Sequence, residues 1–196
     1  EQGGEVHLSA SVDSIAIEDG KVRGMSVRSE NSSVEFHSFD AVITTTPSHI
    51  FPRLVPPLTE DYAARLASVQ YMAAVLIVLV LDRPLSDVYW LNVADRSIPF
   101  VGVIEHTNLI DPEHYGGRHI VYLSNYLSAD HPMYRMEHQE LLDEYLPHLR
   151  KINPDFDPSW VETSYHHRVD AAQPVIGPNY SQHIPSHRTP FEGVYL

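Results

Sequence analysis

Apolar and polar residues alternate along "EVHLSASVDSIAIEDGKVRGMSVR", with Val12, Ile15 and Ile17 before "EDGK" and Val22, Met25 and Val27 after it. A period of two marks half-buried strands, and Asp19-Gly20 between them is the dipeptide of a two-residue hairpin turn. A second turn at "SENSS" leads into "VEFHSF" and then into "DAVITTTP". Residues 5–47 are therefore expected to form an antiparallel meander. Its last strand, 41–45, is apolar enough to be buried on both faces.

Beyond the proline-rich "FPRLVPP", Thr59 stands where a helix cap belongs, and Glu60 and Asp61 follow in the first turn, so a short helix is expected over 60–69. The run "YMAAVLIVLVL", 71–81, is rich in Val, Leu and Ile and ends at "DRP", which favours a central strand. Further strands are expected at "VYWLNV", "IPFVGVIEHT" and "RHIVYLSNYL", between Pro, Gly and Asp clusters. Helical spacing of Met136, Leu141, Leu142, Tyr145, Leu146 and Leu149 predicts a long helix that Pro147 kinks or divides. "WVETSYHHRV" reads as a strand, "DAAQPVIGPNYSQHIPSHRTP" as loop and "GVYL" as a final strand. This order predicts an α+β fold, a β-meander followed by a mixed or antiparallel sheet with two main helices. The expected boundary separates a meander unit, residues 1–57, from a second domain, 58–196.

Composition narrows the chemistry. Acidic residues number 26 against 13 Lys and Arg, a formal net charge of -13, which repels nucleic-acid phosphates. No cysteine is present, so disulfides, thiol catalysis and Cys-based metal sites are excluded, in keeping with a cytoplasmic protein. The longest apolar run is about half of the roughly 20 residues that a membrane-spanning helix needs. The start "EQGGEVHLSA" has no initiating Met and no basic stretch followed by an apolar core, and the chain stops on a strand-like "FEGVYL". Both ends suggest a piece of a longer protein, whose oligomeric state nothing here indicates.

Of the 13 histidines, adjacent His166 and His167 would point to opposite faces of a strand, and Pro185 separates His183 from His187. Surface or loop histidines are the expectation, and no metal site. Neither a G-x-S-x-G nucleophile turn nor a glycine-rich phosphate loop occurs. Two features remain: Glu105 and His106 at the end of an apolar strand, and Tyr89, Trp90, Tyr122 and Tyr126 on strands able to share one sheet face. These residues line an expected aromatic substrate pocket; the plainer alternative has the aromatics half-buried in the sheet and Glu105 and His106 exposed.

Three stretches resemble the flavin-containing amine oxidases and protoporphyrinogen oxidase-like oxidoreductases, phytoene desaturase relatives included. They are "VHLSASVDSIAIEDGKVRGMSVRSENSSVEFHSFDAVITTTP", "AAVLIVLVLDRPL" and "TPFEGVYL". The resemblance implies an FAD-dependent parent enzyme that moves a hydride from a small or lipid-like substrate to flavin. It implies that residues 1–57 belong to the FAD domain, that 58–196 hold the substrate, and that the last strand returns to the FAD domain. Val12 matches a family valine near the adenine end of FAD, and Thr45, Thr46 and Pro47 match a turn beside the cofactor. No catalytic residue carries over, and the glycine motifs that hold the FAD pyrophosphate are not in this sequence. FAD is therefore not expected to bind these 196 residues alone. The competing expectation is a non-catalytic domain that holds an apolar ligand or a protein partner on its aromatic sheet face.

Overall fold

The computed structural model describes residues 3–29, 33–182 and 184–196. The middle of the expected turn at "SENSS" (Glu30, Asn31 and Ser32) and His183 lie outside them. The chain forms two compact units, one of Glu1–Gln70 with Val175–Leu196 and one of Tyr71–Pro174.

In the first unit, Ala10–Glu18 (β1) and Lys21–Ser29 (β2) make the expected antiparallel hairpin, with Glu18 opposite Lys21. Asp19 and Gly20 both take positive φ, 50° and 76°, as a primed two-residue turn requires to match the strand twist. Val34–Ser38 (β3) adds to β2, also antiparallel. The next strand departs from the meander. Val42–Ile43 (β4) pairs in parallel with the tenth and last strand, Val194–Tyr195 (β10). Val42 is 7% exposed and Ile43 72%, so β4 is buried on one side and not on both. Successive strand residues point opposite ways, and only the Val42 side meets the core of Ile15, Val22, Phe51, Leu66 and Val194.

The helix α1 (Glu60–Ala67) carries Leu66 into that same core. Thr59 takes the extended N-cap backbone, but its hydroxyl makes no capping bond. Packing therefore joins α1 to the first unit, and the division after residue 70 falls later than the expected boundary at 57.

The second unit is built on one five-stranded sheet: Tyr71–Leu81 (β5), Trp90–Asn92 (β6), Gly102–Glu105 (β7), His119–Leu127 (β8) and Val161–Pro174 (β9). The strand order is β6-β7-β8-β5-β9, antiparallel throughout. With the parallel pair of the first unit, the protein has an α+β fold with antiparallel and parallel pairing. Ala73, Val75, Ile77, Leu79 and Leu81 alternate onto one side of β5 and are buried. Against them pack Leu141 and Tyr145 of α3 (His138–Tyr145), Leu149 of the 3-10 turn Leu146–Lys151, and Phe100, whose ring meets Tyr145 edge-on at 5.1 Å. Each buried Val, Leu, Ile or Phe among them contributes about 1.5–3 kcal/mol by burial.

The expected long helix is broken twice. Met136 is extended (φ -59°, ψ 138°) between α2 (Pro132–Arg135) and α3, and Glu137 forms a capping box with Glu140 that starts α3 afresh. Of the two expected effects Pro147 divides the helix: it opens the 3-10 turn that follows α3. At the other end of the unit, β9 runs five residues past the expected strand, through "DAAQP", because an edge strand tolerates Pro174.

Candidate functional site

A cleft of about 430 Å³ opens in the first unit where β1 bends. Its lining includes Ser11, Val12, Ile43, Thr44, Thr45 and Thr46. The pairing of β1 with β2 is irregular between Val12 and Ser14, which turns this end of the hairpin toward the residues after β4. Thr44 anchors the other wall: its N–H and its hydroxyl both donate to the Tyr195 carbonyl, at 2.8 and 3.2 Å. Pro47 is not among the lining residues. It opens the following turn by accepting from Ile50 N–H at 2.8 Å. The cleft thus brings Val12, Thr45 and Thr46 together, and among the described residues no Lys, Arg, His, Asp or Glu lines it.

The order of the chain near the cleft depends on Gly193. Its φ is +82°, and a Cβ there would stand 2.6 Å from Val22 Cγ1 and 3.0 Å from the Asp40 carbonyl. Glycine lets β10 approach closely enough for Val42 N–H to reach the Gly193 carbonyl at 2.8 Å.

The second site is the face of the five-stranded sheet opposite the helices. Antiparallel register partners point to the same side, so Trp90, Ile104, Tyr122, Val78 and Tyr165 form one row across all five strands. The next row is Asn92, Gly102, Ser124, Leu76 and His167, followed by Tyr126, Ala74 and Val169. Trp90 and Tyr165 are each 54% exposed, Val169 49% and Tyr126 40%. At one end His106 Nε2 meets the Tyr115 hydroxyl at 2.7 Å, and its ring lies edge-on to Tyr122 at 6.1 Å. Tyr89 precedes β6, outside the row, with its ring 6.5 Å from that of Trp90. The face therefore gathers Trp90, Tyr122 and Tyr126 with His106 at its end. Tyr165 was missed in the sequence although the period of two through "VETSYHHRV" places it there.

Glu105 belongs neither to that face nor to the surface. It is fully buried, and its carboxylate accepts from Leu85 N–H at 2.9 Å, Ser86 N–H at 2.7 Å and the Ser86 hydroxyl at 3.0 Å. Its role in the structure is to hold the loop after β5.

His166 and His167 do diverge: His166 stands opposite Ile77 and His167 opposite Leu76. Yet His166 is partly buried. It turns toward α3, its ring 6.0 Å from His138, and its Nε2 is buried without a hydrogen bond. Burial pushes its pKa down, with Arg168 and His138 adding to the effect. His138 Nε2 lies 2.8 Å from the Ser164 hydroxyl. Among the described residues, no group of three or more His, Asp or Glu side chains is placed to hold a metal ion, and no helix is long and apolar enough to cross a membrane.

A family model for flavin containing amine oxidoreductases matches residues 1–196. The chain belongs to that family. No curated protein sequence matches it. Among solved structures it is similar to an oxidoreductase from Methanosarcina mazei, with 25% identity and a TM-score of 0.66, over 98% of this chain and 44% of that one. It is also similar in fold to reduced UDP-galactopyranose mutase (18% identity, TM-score 0.62, 87% of this chain and 36% of that one). A third similar fold is putrescine oxidase bound to putrescine (16%, TM-score 0.55, 84% and 35%). The family member described here thus spans less than half the length of each.

Proposed function

We propose that this chain is part of an FAD-dependent oxidoreductase that oxidises a small or lipid-like substrate by hydride transfer to flavin. The observation that carries the reading is the meeting of Val12 with Thr44, Thr45 and Thr46 in one uncharged cleft, in a chain of the flavin family. The donor set fits part of the cofactor. Apolar side chains and threonine hydroxyls suit a purine ring and a sugar, whereas nothing in the lining suits a pyrophosphate. Val12, Thr45 and Thr46 would hold the adenine end, with Pro47 shaping the turn beside it. FAD, when bound, supplies the acceptor for the hydrogen and the two electrons that leave the substrate.

In this reading the first unit is the cofactor side and the second the substrate side. Trp90, Tyr122 and Tyr126 would orient the substrate on the sheet face and exclude water from it, and His106 would close one end. Glu105 would act only through the loop it holds. The absence of cysteine supports a cytoplasmic setting. The exposed aromatic row also supports a second reading, a non-catalytic domain that holds an apolar ligand or partner on that face.

Purification of the full-length protein separates the two. A flavin absorption spectrum that bleaches anaerobically with a candidate substrate is expected. A colourless protein whose upstream sequence carries no dinucleotide-binding glycine motif overturns the enzyme reading.

A further inference from the structure

The side of β9 that faces the helices is polar where its neighbour is not. Opposite Val75, Ile77 and Leu79 of β5, all fully buried, stand Arg168, His166 and Ser164. A strand side turned to a core ordinarily carries apolar residues, and polar ones there need partners. Two of the three find them at the start of α3. The Ser164 hydroxyl lies 2.8 Å from His138 Nε2, while Arg168 donates to the Met136 carbonyl and lies 3.5 Å from a Glu137 carboxylate oxygen. His166 is the exception, because its Nε2 is buried and makes no hydrogen bond. Both imidazoles line one cleft of about 450 Å³, together with Glu137, Ser164 and Arg168. Their ring centres are 6.0 Å apart and the ring planes are inclined by 37°.

We propose that His138 and His166 together bind one divalent transition-metal ion, zinc or copper, in this cleft. An ion about 2.0–2.1 Å from a ring nitrogen stands about 3.2 Å from the ring centre, so two imidazoles on one ion have centres about 5–6.5 Å apart, depending on the angle at the metal. The observed 6.0 Å falls inside that interval. Imidazole nitrogens suit zinc and copper, whereas magnesium and calcium take oxygen sets. The Ser164 hydroxyl and the Glu137 carboxylate are oxygen donors in the same cleft, and a net charge of -13 favours a cation. Arg168 opposes one, but its guanidinium is held by Met136 and Glu137. His167 leaves by the other face of β9 and does not join the pair. Among the described residues no third His, Asp or Glu converges, so water fills the remaining positions and a micromolar affinity is expected, well short of a four-ligand structural zinc site.

The proposal is independent of the enzyme reading. Its test is a calorimetric titration of the full-length protein, freed of metal by a chelator and dialysed, with zinc chloride at about pH 7.5, where the imidazoles are neutral. Wild type is compared with His138→Gln and His166→Gln, which keep a polar side chain, and with His7→Gln, an exposed imidazole of the other unit, as the control. One equivalent of zinc bound by wild type with a micromolar Kd is expected to weaken about tenfold or more in each cleft variant, and to persist in His7→Gln. Copper(II) is expected to bind the same site more tightly, and millimolar magnesium to leave zinc in place. Saturating zinc is expected to raise the melting temperature of wild type and not of the cleft variants. Equal zinc binding by all four proteins overturns the proposal, as does a wild type with no saturable equivalent up to about 100 µM zinc. Displacement by magnesium overturns it too, by assigning the ion to carboxylates. Loss in only one of two folded variants overturns the shared site. Should His166→Gln unfold, His138→Gln at the start of α3 decides alone.

Discussion

At the scale of single residues, the positions that were legible are those whose role follows from a period of two. Trp90, Tyr122 and Tyr126 share a face because they stand in phase on neighbouring strands, and alternation alone announces that. Glu105 was not legible, because its partners are backbone N–H groups twenty residues away in a loop, and nothing in "GVIEHT" reports them. A buried carboxylate with three donors is stable only while they remain. Glu105→Gln keeps the shape but turns two acceptor oxygens into one, and is expected to lower the unfolding free energy by about 1–3 kcal/mol in a urea titration. An unchanged midpoint would show that the loop after β5 holds itself. Gly193 gives a second expectation: Gly193→Ala forces a Cβ against Val22 at a φ that side chains avoid, so it is expected to destabilise the first unit by about 1–3 kcal/mol. A melting temperature equal to wild type would contradict that geometry.

At the scale of elements, strand β5 matched its expected bounds because an eleven-residue apolar run ending in seven Val, Leu and Ile residues has no competing arrangement between "SVQ" and "DRP". The helical region was less legible. Its apolar spacing is continuous, and the break comes from Glu137 and Glu140 closing a capping box inside the pattern, a local polar event that periodicity does not register. Residues on either side of that break create the setting of His166, where β9 meets α3. The charged groups that act on the imidazole are Arg168, His138 and Glu137 beside it and His167 from the opposite face of β9, and its largest perturbation is loss of water. Because the folded pKa is depressed, the unfolded chain takes up the proton first as pH falls. The stability is present above the ordinary histidine value of about 6.5 and is lost as pH drops below it toward the folded value. Urea midpoints measured from about pH 7.5 to pH 5 are therefore expected to fall in wild type, and to fall less in His166→Phe, which needs no proton. Identical slopes in the two proteins would assign the pH dependence to other groups.

At the scale of the whole molecule, the family was legible because the hairpin, the Val-rich strand and the closing "TPFEGVYL" lie in a characteristic order, and the full-length family match agrees with that. The return of the last strand to the first unit was legible through the resemblance, but the division after residue 70 was not, because what joins α1 to the first unit is Leu66 in its core, a contact no linear pattern reports. The arrangement of charge leads to the last prediction. The cleft that collects Val12 and Thr44 to Thr46 has no cationic side chain in its lining among the described residues, and the chain as a whole carries a net charge of -13. A dinucleotide brings two phosphates, whose desolvation needs aligned backbone N–H groups or basic side chains, and the cleft lining supplies no basic side chain. Contacts to a purine and a ribose alone are worth too little to offset the repulsion and the loss of freedom on binding. The 196-residue chain titrated with FAD is therefore expected to show only weak binding, with a Kd above about 100 µM by flavin fluorescence. Raising the salt should tighten it slightly, because screening weakens like-charge repulsion. Micromolar saturation, or a yellow protein from expression, would show that these residues carry a phosphate site of their own, and that the cleft at Val12 is more than the adenine end of a larger one.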